Sequence, residues 1–202
     1  MARLELGCLA SGEGTTLQAV IDACKEGGVD GEVRVVISNN SKSGALRRAA
    51  AEGIEGFHLS SATHPDPQAL DEAIRSALDK HDVDLVLLAG YMRKLGPLTR
   101  ARFAGRVLNT HPALLPKYGG KGMYGRAVHE AVLAAGVTVT GVTIHLADDE
   151  YDHGPTVAQC EVPVQGDDTA DSLSERVQNR EREFLVETLR RISSGETKLP
   201  TP

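Results

Sequence analysis

The sequence predicts an α/β fold, with an open, mostly parallel, twisted sheet and flanking helices in a single domain. Over the first hundred residues, short apolar runs alternate with amphipathic segments, the pattern of a parallel sheet with crossover helices. The chain has 202 residues, 41% of them hydrophobic, so it can bury a substantial core. Because no linker, repeat or low-complexity segment interrupts this pattern, we expect one domain over residues 1–202.

The first strand is predicted at residues 4–9, an apolar run. A helix is predicted at residues 15–25, whose apolar side chains recur at helical spacing: Leu17, Val20, Ile21 and Cys24. The β-branched residues 33–38 predict the second strand. This strand, helix, strand order indicates a Rossmann-like N-terminal half.

The rest of that half repeats the alternation. Residues 45–52 and 67–80 predict helices on either side of a short strand at residues 56–59. Residues 85–88 are continuously apolar, which is typical of a strand buried on both faces.

The pattern changes after residue 100. The predicted elements are a short strand at 106–109, a loop rich in Gly, Lys and Tyr at 117–125, a helix at 126–134, strands at 138–146 and 156–164, and a closing helix at 169–192. The two later strands are assigned from their β-branched alternation, and the helices from their periodicity.

Composition excludes several classes of function. The net charge of −6 disfavours nonspecific nucleic-acid binding, although local dipoles can still hold an anionic substrate. No long apolar run or signal-peptide pattern occurs, so we expect a cytoplasmic protein without membrane association. Three widely spaced cysteines, Cys8, Cys24 and Cys160, favour neither a disulfide framework nor a zinc site, and no other metal-ligand spacing is present.

The most informative string is Asn109-Thr110-His111-Pro112-Ala113-Leu114-Leu115-Pro116, followed downstream by Asp152-His153-Gly154-Pro155. Asn109 and His111 lie two residues apart at a strand end, so their side chains project to the same side. Prolines 112 and 116 stiffen the segment. Together with Asp152, the string provides a carboxamide, an imidazole and a carboxylate, groups suited to acyl transfer. A solvated histidine at a strand end is the alternative interpretation of the tripeptide alone.

A second candidate is the loop Ser11-Gly12-Glu13-Gly14-Thr15-Thr16, between the first strand and the first helix. Its glycines permit close backbone approach, and the helix N-terminus offers free N–H groups to a phosphate. The loop matches neither the dinucleotide fingerprint nor the P-loop. An ordinary strand-to-helix turn is an equally good interpretation of the motif alone.

The segment Ala89-Gly90-Tyr91-Met92-Arg93-Lys94-Leu95 follows the 85–88 strand at its carboxyl end, where ligands bind in open α/β sheets. The residue types alone favour a place in the core for Met92 and Leu95 and solvent exposure for Arg93 over a role in binding.

The Asn-x-His-Pro-x-Leu-Leu-Pro string, the downstream Asp-x-Gly-Pro and the opening glycine-rich loop together resemble the folate-dependent formyltransferases over nearly the whole chain. The resemblance implies direct formyl transfer from 10-formyltetrahydrofolate, a co-substrate, to the amine of glycinamide ribonucleotide in purine biosynthesis. It makes Asn109, His111 and Asp152 the catalytic residues. No metal, nucleic acid or membrane partner is implied, and the protein is expected to be a monomer or homodimer.

The resemblance also assigns binding residues to both substrates. The ribonucleotide is expected to contact Gly14, Thr15, Thr16, Gln178 and Glu181. The folate is expected to contact Met92, Arg93, Lys94, Leu95, Asn109, Asp148, Asp149, Glu150, Tyr151 and Asp152. Roughly residues 1–100 then form a half that binds the nucleotide phosphate, and residues 101–202 a catalytic and folate-binding half. Some relatives have an arginine near the position of Pro67 for the folate tail, so here the contacts with the tail are expected either to be weaker or to come from Arg93 or Lys94.

Three alternatives remain at this stage. A 10-formyltetrahydrofolate hydrolase or another folate-dependent formyltransferase, such as one that formylates methionyl-tRNA, would share the catalytic trio. The former is expected to carry an N-terminal regulatory domain and the latter a C-terminal nucleic-acid-binding domain. A nonenzymatic Rossmann-type nucleotide-binding module would explain the first hundred residues, but it would have no need of Asn109, His111 and Asp152.

Overall fold

The computed structural model describes residues 3–200. Its strands are β1 (Leu4–Leu9), β2 (Gly31–Ser38), β3 (Glu55–His58), β4 (Leu85–Leu88), β5 (Val107–His111), β6 (Val139–Leu146) and β7 (Thr156–Pro163). Its helices are α1 (Thr15–Lys25), α2 (Gly44–Ala51), α3 (Pro67–Lys80), α4 (Pro97–Arg102), α5 (Arg126–Ala134) and α6 (Ala170–Ser193).

The strands form one seven-stranded sheet in the order β3-β2-β1-β4-β5-β6-β7. The pairs from β3 to β5 are parallel, and β6 and β7 add two antiparallel pairs at one edge. This confirms the predicted open, mostly parallel sheet with flanking helices.

The chain reverses its direction of winding between β1 and β4. From β1 it runs outward to β2 and β3, and it then crosses to β4 on the other side of β1. The loops after β1 and β4 therefore separate at the carboxyl ends of neighbouring strands, which opens a crevice between them. Ser11 links the two loops, since its backbone N–H donates to Gly90 O and its Oγ accepts from the Met92 N–H.

Two apolar clusters cover the two faces of the sheet. One places α1 and α6 against β1, β4 and β6, with Leu6, Leu17 and Leu173 fully buried. The other packs α3 against β2 and β4, around Leu78 and Phe103. Both faces are covered, as expected for strands with continuous apolar runs.

The structure departs from the sequence-based assignment at two places near the crevice. Helix α4 was not predicted, and it forms because Asp71 of α3 accepts hydrogen bonds from Leu98 N at 2.7 Å, Thr99 N at 3.1 Å and Thr99 Oγ1 at 2.6 Å. The strand predicted at 106–109 runs instead from Val107 to His111, because pairing with β6 continues through His111.

None of the helices within residues 3–200 combines the length and the apolar character that a membrane-spanning helix requires.

Candidate active site

A cavity of about 1000 Å³ opens at the carboxyl ends of β1, β4 and β5. It is bordered by the loop after β1, the segment after β4, the 117–125 loop, the 147–152 turn and one face of α6. Its volume is in the upper part of the range for small-molecule sites. The loop after β1 and the segment after β4 both line the cavity together with Asn109 and His111.

Asn109 and His111 end strand β5, and both side chains line the cavity. They pair with His145 and Thr143 of the antiparallel strand β6, and this register fixes the positions of both side chains along the strand. The intervening Thr110 links β5 to α6, because its Oγ1 donates to Glu181 Oε1 at 2.8 Å. The sequence-based expectation that Asn109 and His111 share one site agrees with this placement.

Both ring nitrogens of His111 face hydrogen-bond acceptors. Nδ1 lies 3.4 Å from Asp152 Oδ2, and Nε2 donates to the Tyr118 carbonyl oxygen at 2.8 Å. The side chains of His111 and Asp152 are only 4% and 11% exposed. These two contacts fix the orientation of the ring, with one nitrogen towards a carboxylate and the other towards a backbone carbonyl.

Asp152 lies in a turn with a backbone φ of 58°. Its Oδ2 accepts from the Gly120 N–H at 3.0 Å, and its Oδ1 lies 3.6 Å from His145 Nε2. Burial acts to raise the pKa of Asp152, but hydrogen bonding with His111 and His145, the charge of His111 and the Gly120 N–H outweigh it. Together they hold the pKa well below its ordinary value, so Asp152 is a carboxylate throughout the neutral range.

His145 connects the amide and the carboxylate. Its Nδ1 donates to the Leu146 carbonyl oxygen at 2.9 Å, and its Nε2 lies 3.0 Å from Asn109 Nδ2. Since an amide nitrogen carries two hydrogens, Asn109 keeps one N–H for a ligand in the cavity. The structural hydrogen-bonding role expected for His145 agrees with these contacts.

One end of the cavity is formed by the N-terminus of α1. Its N-cap, Gly14, has a φ of 72°, and no side chain caps the first turn. A Cβ at Gly14 would lie 2.7 Å from the Ala45 Cα, so this close approach requires glycine. Thr15 and Thr16 line the cavity here, opposite Gln178 and Glu181 of α6. Burial raises the pKa of Glu181, and the hydrogen bond from Thr110 opposes this shift.

The other end is formed by the segment after β4 and the 147–152 turn. Met92 and Tyr151 are 55% and 52% exposed at the mouth, whereas Leu95 is buried. Lys94 is engaged with the turn, because its Nζ donates to the Asp149 carbonyl and lies 5.7 Å from the Tyr151 ring centroid. Arg93, Asp148 and Glu150 also line this end.

Asp149 is the one predicted site residue that does not line the cavity. Its side chain is 87% exposed and forms an ion pair with Arg100 of α4 at 2.6 Å. Arg100 itself borders the cavity and donates to the Asp148 carbonyl at 3.4 Å. The structure therefore places Asp149 on the outer side of the turn, where an ion pair with so exposed a carboxylate contributes little to stability.

Sequence reasoning missed Arg100, His129 and Arg182, which all line the cavity. His129 lies on α5 and is 1% exposed; burial and the charge of His111 lower its pKa. The spacing of Gln178 and Arg182, four residues apart on one helix, was a signal that both side chains share a face. No comparable signal exists for Arg100, because α4 itself was not predicted.

Among residues 3–200, no group of three or more His, Cys, Asp or Glu side chains is arranged to hold a metal ion.

Comparison with known proteins gives a family match over most of the chain. Residues 6–189 match the model of a family described as "Formyl transferase". Among relatives, the chain is 37% identical to a phosphoribosylglycinamide formyltransferase of Escherichia coli strain K12, over 95% of this chain and 88% of that protein. It is 40% identical to a chloroplastic protein of the same name from Vigna unguiculata, over 93% of this chain but only 60% of that longer protein.

A solved structure shows the same architecture. The crystal structure of glycinamide ribonucleotide transformylase 1 from Symbiobacterium toebii superposes with a TM-score of 0.89 at 37% identity. The match covers 96% of this chain and 89% of that one.

Proposed function

Because the chain belongs to the formyl transferase family, we propose that it transfers the formyl group of 10-formyltetrahydrofolate to the glycinamide amine of N1-(5-phosphoribosyl)glycinamide, in purine biosynthesis. One observation carries the proposal: Asn109, His111 and Asp152 form a connected polar cluster in the cavity, between a helix N-terminus and an apolar pocket. That arrangement suits two substrates that meet at the cluster, one with a phosphate and one with a flat heterocyclic ring.

In the proposed reaction the neutral amine attacks the formyl carbon, forming a C–N bond and a tetrahedral oxyanion. Asn109 donates its free amide N–H to the developing oxyanion, and the His111 imidazolium stabilises it by charge. The amine then loses a proton, N10 gains one, and the bond from the formyl carbon to N10 breaks. The products are the formylated ribonucleotide and tetrahydrofolate. No covalent enzyme intermediate is needed, so both substrates must be bound together.

Asp152 has two roles in this scheme. Its carboxylate faces His111 Nδ1 and orients the ring, and it accepts a hydrogen bond from the Gly120 N–H, which holds that residue of the 117–125 loop beside the cluster. Since His111 Nε2 donates to the Tyr118 carbonyl, the formyl oxygen must replace that carbonyl as the acceptor. Productive binding therefore includes a small shift of the 117–125 loop, which contains four glycines.

The ribonucleotide phosphate is placed at the N-terminus of α1, over Gly14, Thr15 and Thr16, where free N–H groups favour an anion. Gln178 and Glu181 then face the ribose from α6. The pterin is placed in the pocket lined by Met92, Leu95, Asp148 and Tyr151.

The folate tail is assigned to Arg93. Lys94, the other cation considered for this role, is engaged with the 147–152 turn, whereas Arg93 forms no ion pair within the described part of the chain. In this arrangement both halves of the chain contact both substrates.

The test is an assay of 10-formyltetrahydrofolate turnover with and without the ribonucleotide, measuring formate and the formylated product. The proposal expects turnover only with the ribonucleotide and little formate. Formate release without it would identify a hydrolase. Formylation of methionyl-tRNA but not of the ribonucleotide would identify a different transferase, and binding without turnover would identify a nonenzymatic module.

A further inference from the structure

Arg182 is a cation at the end of the cavity that is formed by the N-terminus of α1. It lies on α6, next to Glu181, and borders the cavity. Its Nη1 donates to Thr15 Oγ1 at 3.5 Å, and its Nη2 donates to Asn179 Oδ1. These contacts hold the guanidinium over the first turn of α1.

No carboxylate pairs with Arg182 anywhere in residues 3–200, in contrast to its neighbours on α6. Arg176 pairs with Asp168 at 2.6 Å, and Arg180 pairs with Glu187 at 2.8 Å. The hydrogen bonds of Arg182 are to neutral side chains, and its charge lowers the pKa of the neighbouring Glu181 without forming an ion pair with it, so the guanidinium remains available to an anionic ligand.

The other cations near the cavity lie away from its phosphate end or form ion pairs with carboxylates. Arg93, Lys94 and Arg100 belong to the walls at the folate end, and Lys121 lies on the exposed 117–125 loop. Behind the phosphate loop, Arg47 pairs with Glu13 at 3.2 Å and does not line the cavity.

A phosphate monoester carries a charge of about −1.5 to −2 at neutral pH, and the protein has a net charge of −6. A helix N-terminus supplies only about half an elementary positive charge. A guanidinium matches phosphate oxygens with two parallel N–H donors, a geometry that lysine lacks. We propose that Arg182 binds the 5-phosphate of the ribonucleotide and makes the enzyme selective for the phosphorylated acceptor.

This inference rests on the proposed function, and the experiment separates the two. Wild-type turnover of the ribonucleotide tests the function. The inference is tested by measuring KM and kcat of Arg182→Gln with the ribonucleotide and with the corresponding glycinamide riboside, which lacks the phosphate. We expect the KM for the ribonucleotide to rise roughly 10- to 100-fold, the loss of a charged hydrogen-bond pair. The parameters for the riboside and the KM for the folate should stay within about twofold.

Two further variants act as controls. Arg180→Gln removes an arginine two positions away whose guanidinium is paired with Glu187, and it should leave both acceptors unaffected. Thr15→Val removes the hydroxyl that Arg182 contacts while keeping the guanidinium and the backbone N–H groups, and it should raise the ribonucleotide KM only a few-fold. Inorganic phosphate should compete with the ribonucleotide in the wild type and much less in Arg182→Gln.

Three results would overturn the inference. The first is an unchanged ribonucleotide KM in Arg182→Gln. The second is an equal loss with both acceptors, which would indicate a structural effect. The third is a Thr15→Val defect as large as that of Arg182→Gln, which would mean that Arg182 acts only by holding Thr15.

Discussion

Replacing Asp152 by asparagine separates charge from geometry at the centre of the site. An asparagine Oδ1 in the position of the carboxylate Oδ2 can still accept from the Gly120 N–H and face His111 Nδ1. The loop contact can therefore survive, while the negative charge beside the imidazole is lost. Because both side chains are almost fully buried, solvent cannot replace that charge.

The expected magnitude follows from these contacts. A hydrogen bond to a charged group contributes about 1.5–3 kcal/mol, and removal of one preorganised oxyanion contact typically lowers kcat about 10²- to 10³-fold. Without the carboxylate, His111 loses the negative charge that lies 3.4 Å from its Nδ1. We therefore expect kcat of Asp152→Asn to fall about 10²-fold or more, with the KM for the ribonucleotide within about threefold of wild type.

The assay is steady-state formylation of the ribonucleotide at saturating folate, with thermal unfolding as a check on the fold. Asp149→Asn is the matched control, since it removes an exposed carboxylate from the same turn that does not line the cavity. It should retain most of the wild-type kcat. If Asp152→Asn stays within about threefold of the wild-type kcat, its charge does not support catalysis and the reasoning is wrong.

Three other perturbations give separate tests. Gly14→Ala forces a Cβ against the Ala45 backbone at positive φ, so it should cost about 1–3 kcal/mol of stability and raise the ribonucleotide KM. Gly166→Ala, where a Cβ meets nothing within 4 Å and which does not line the cavity, should do neither. Burial raises the pKa of Glu181 in the folded protein. The protonated carboxyl therefore stabilises the fold fully below the pKa of an unfolded glutamate, about 4.3. This contribution is lost as the pH rises through the raised pKa of the folded protein. Glu181→Gln should therefore unfold at a higher temperature than wild type at pH 7, an advantage that disappears towards pH 4, and its ribonucleotide KM should rise. Arg93→Gln should raise the KM for 10-formyltetrahydrofolate but not for 10-formyltetrahydropteroate, which lacks the glutamate tail; equal effects on both would place the tail elsewhere.

Most of the fold could be predicted because its signals are local. The apolar runs of β1, β2 and β4 and the periodicity of α1, α3 and α6 depend on neighbouring residues only, and the predicted bounds differ from the observed ones by a few residues. Helix α4 could not be found in this way. It has six residues and only one of them, Thr99, is buried, and its N-terminus is stabilised by Asp71 of another helix.

The candidate site could likewise be predicted only where its signals are local in the sequence. Asn109 and His111 could be predicted to act together, because two residues in one strand share a side by geometry. Their relation to Asp152 came from resemblance, since only the tertiary structure brings the 147–152 turn back to β5. The extra contacts of His111 with the Tyr118 carbonyl and of Asn109 with His145 depend on loop closure and on the register with β6. No pattern in the sequence encodes them directly.

The central claim is direct transfer of the formyl group between two bound substrates, and a single turnover with ¹³C in the formyl group tests it most directly. With enzyme in excess over the labelled folate and with the ribonucleotide present, we expect the label to leave N10 and to appear on the glycinamide nitrogen in equal amount. Formate should not accumulate, and no label should become attached to the protein. Formate as the main product, or a labelled enzyme that forms and decays during the turnover, would contradict direct transfer.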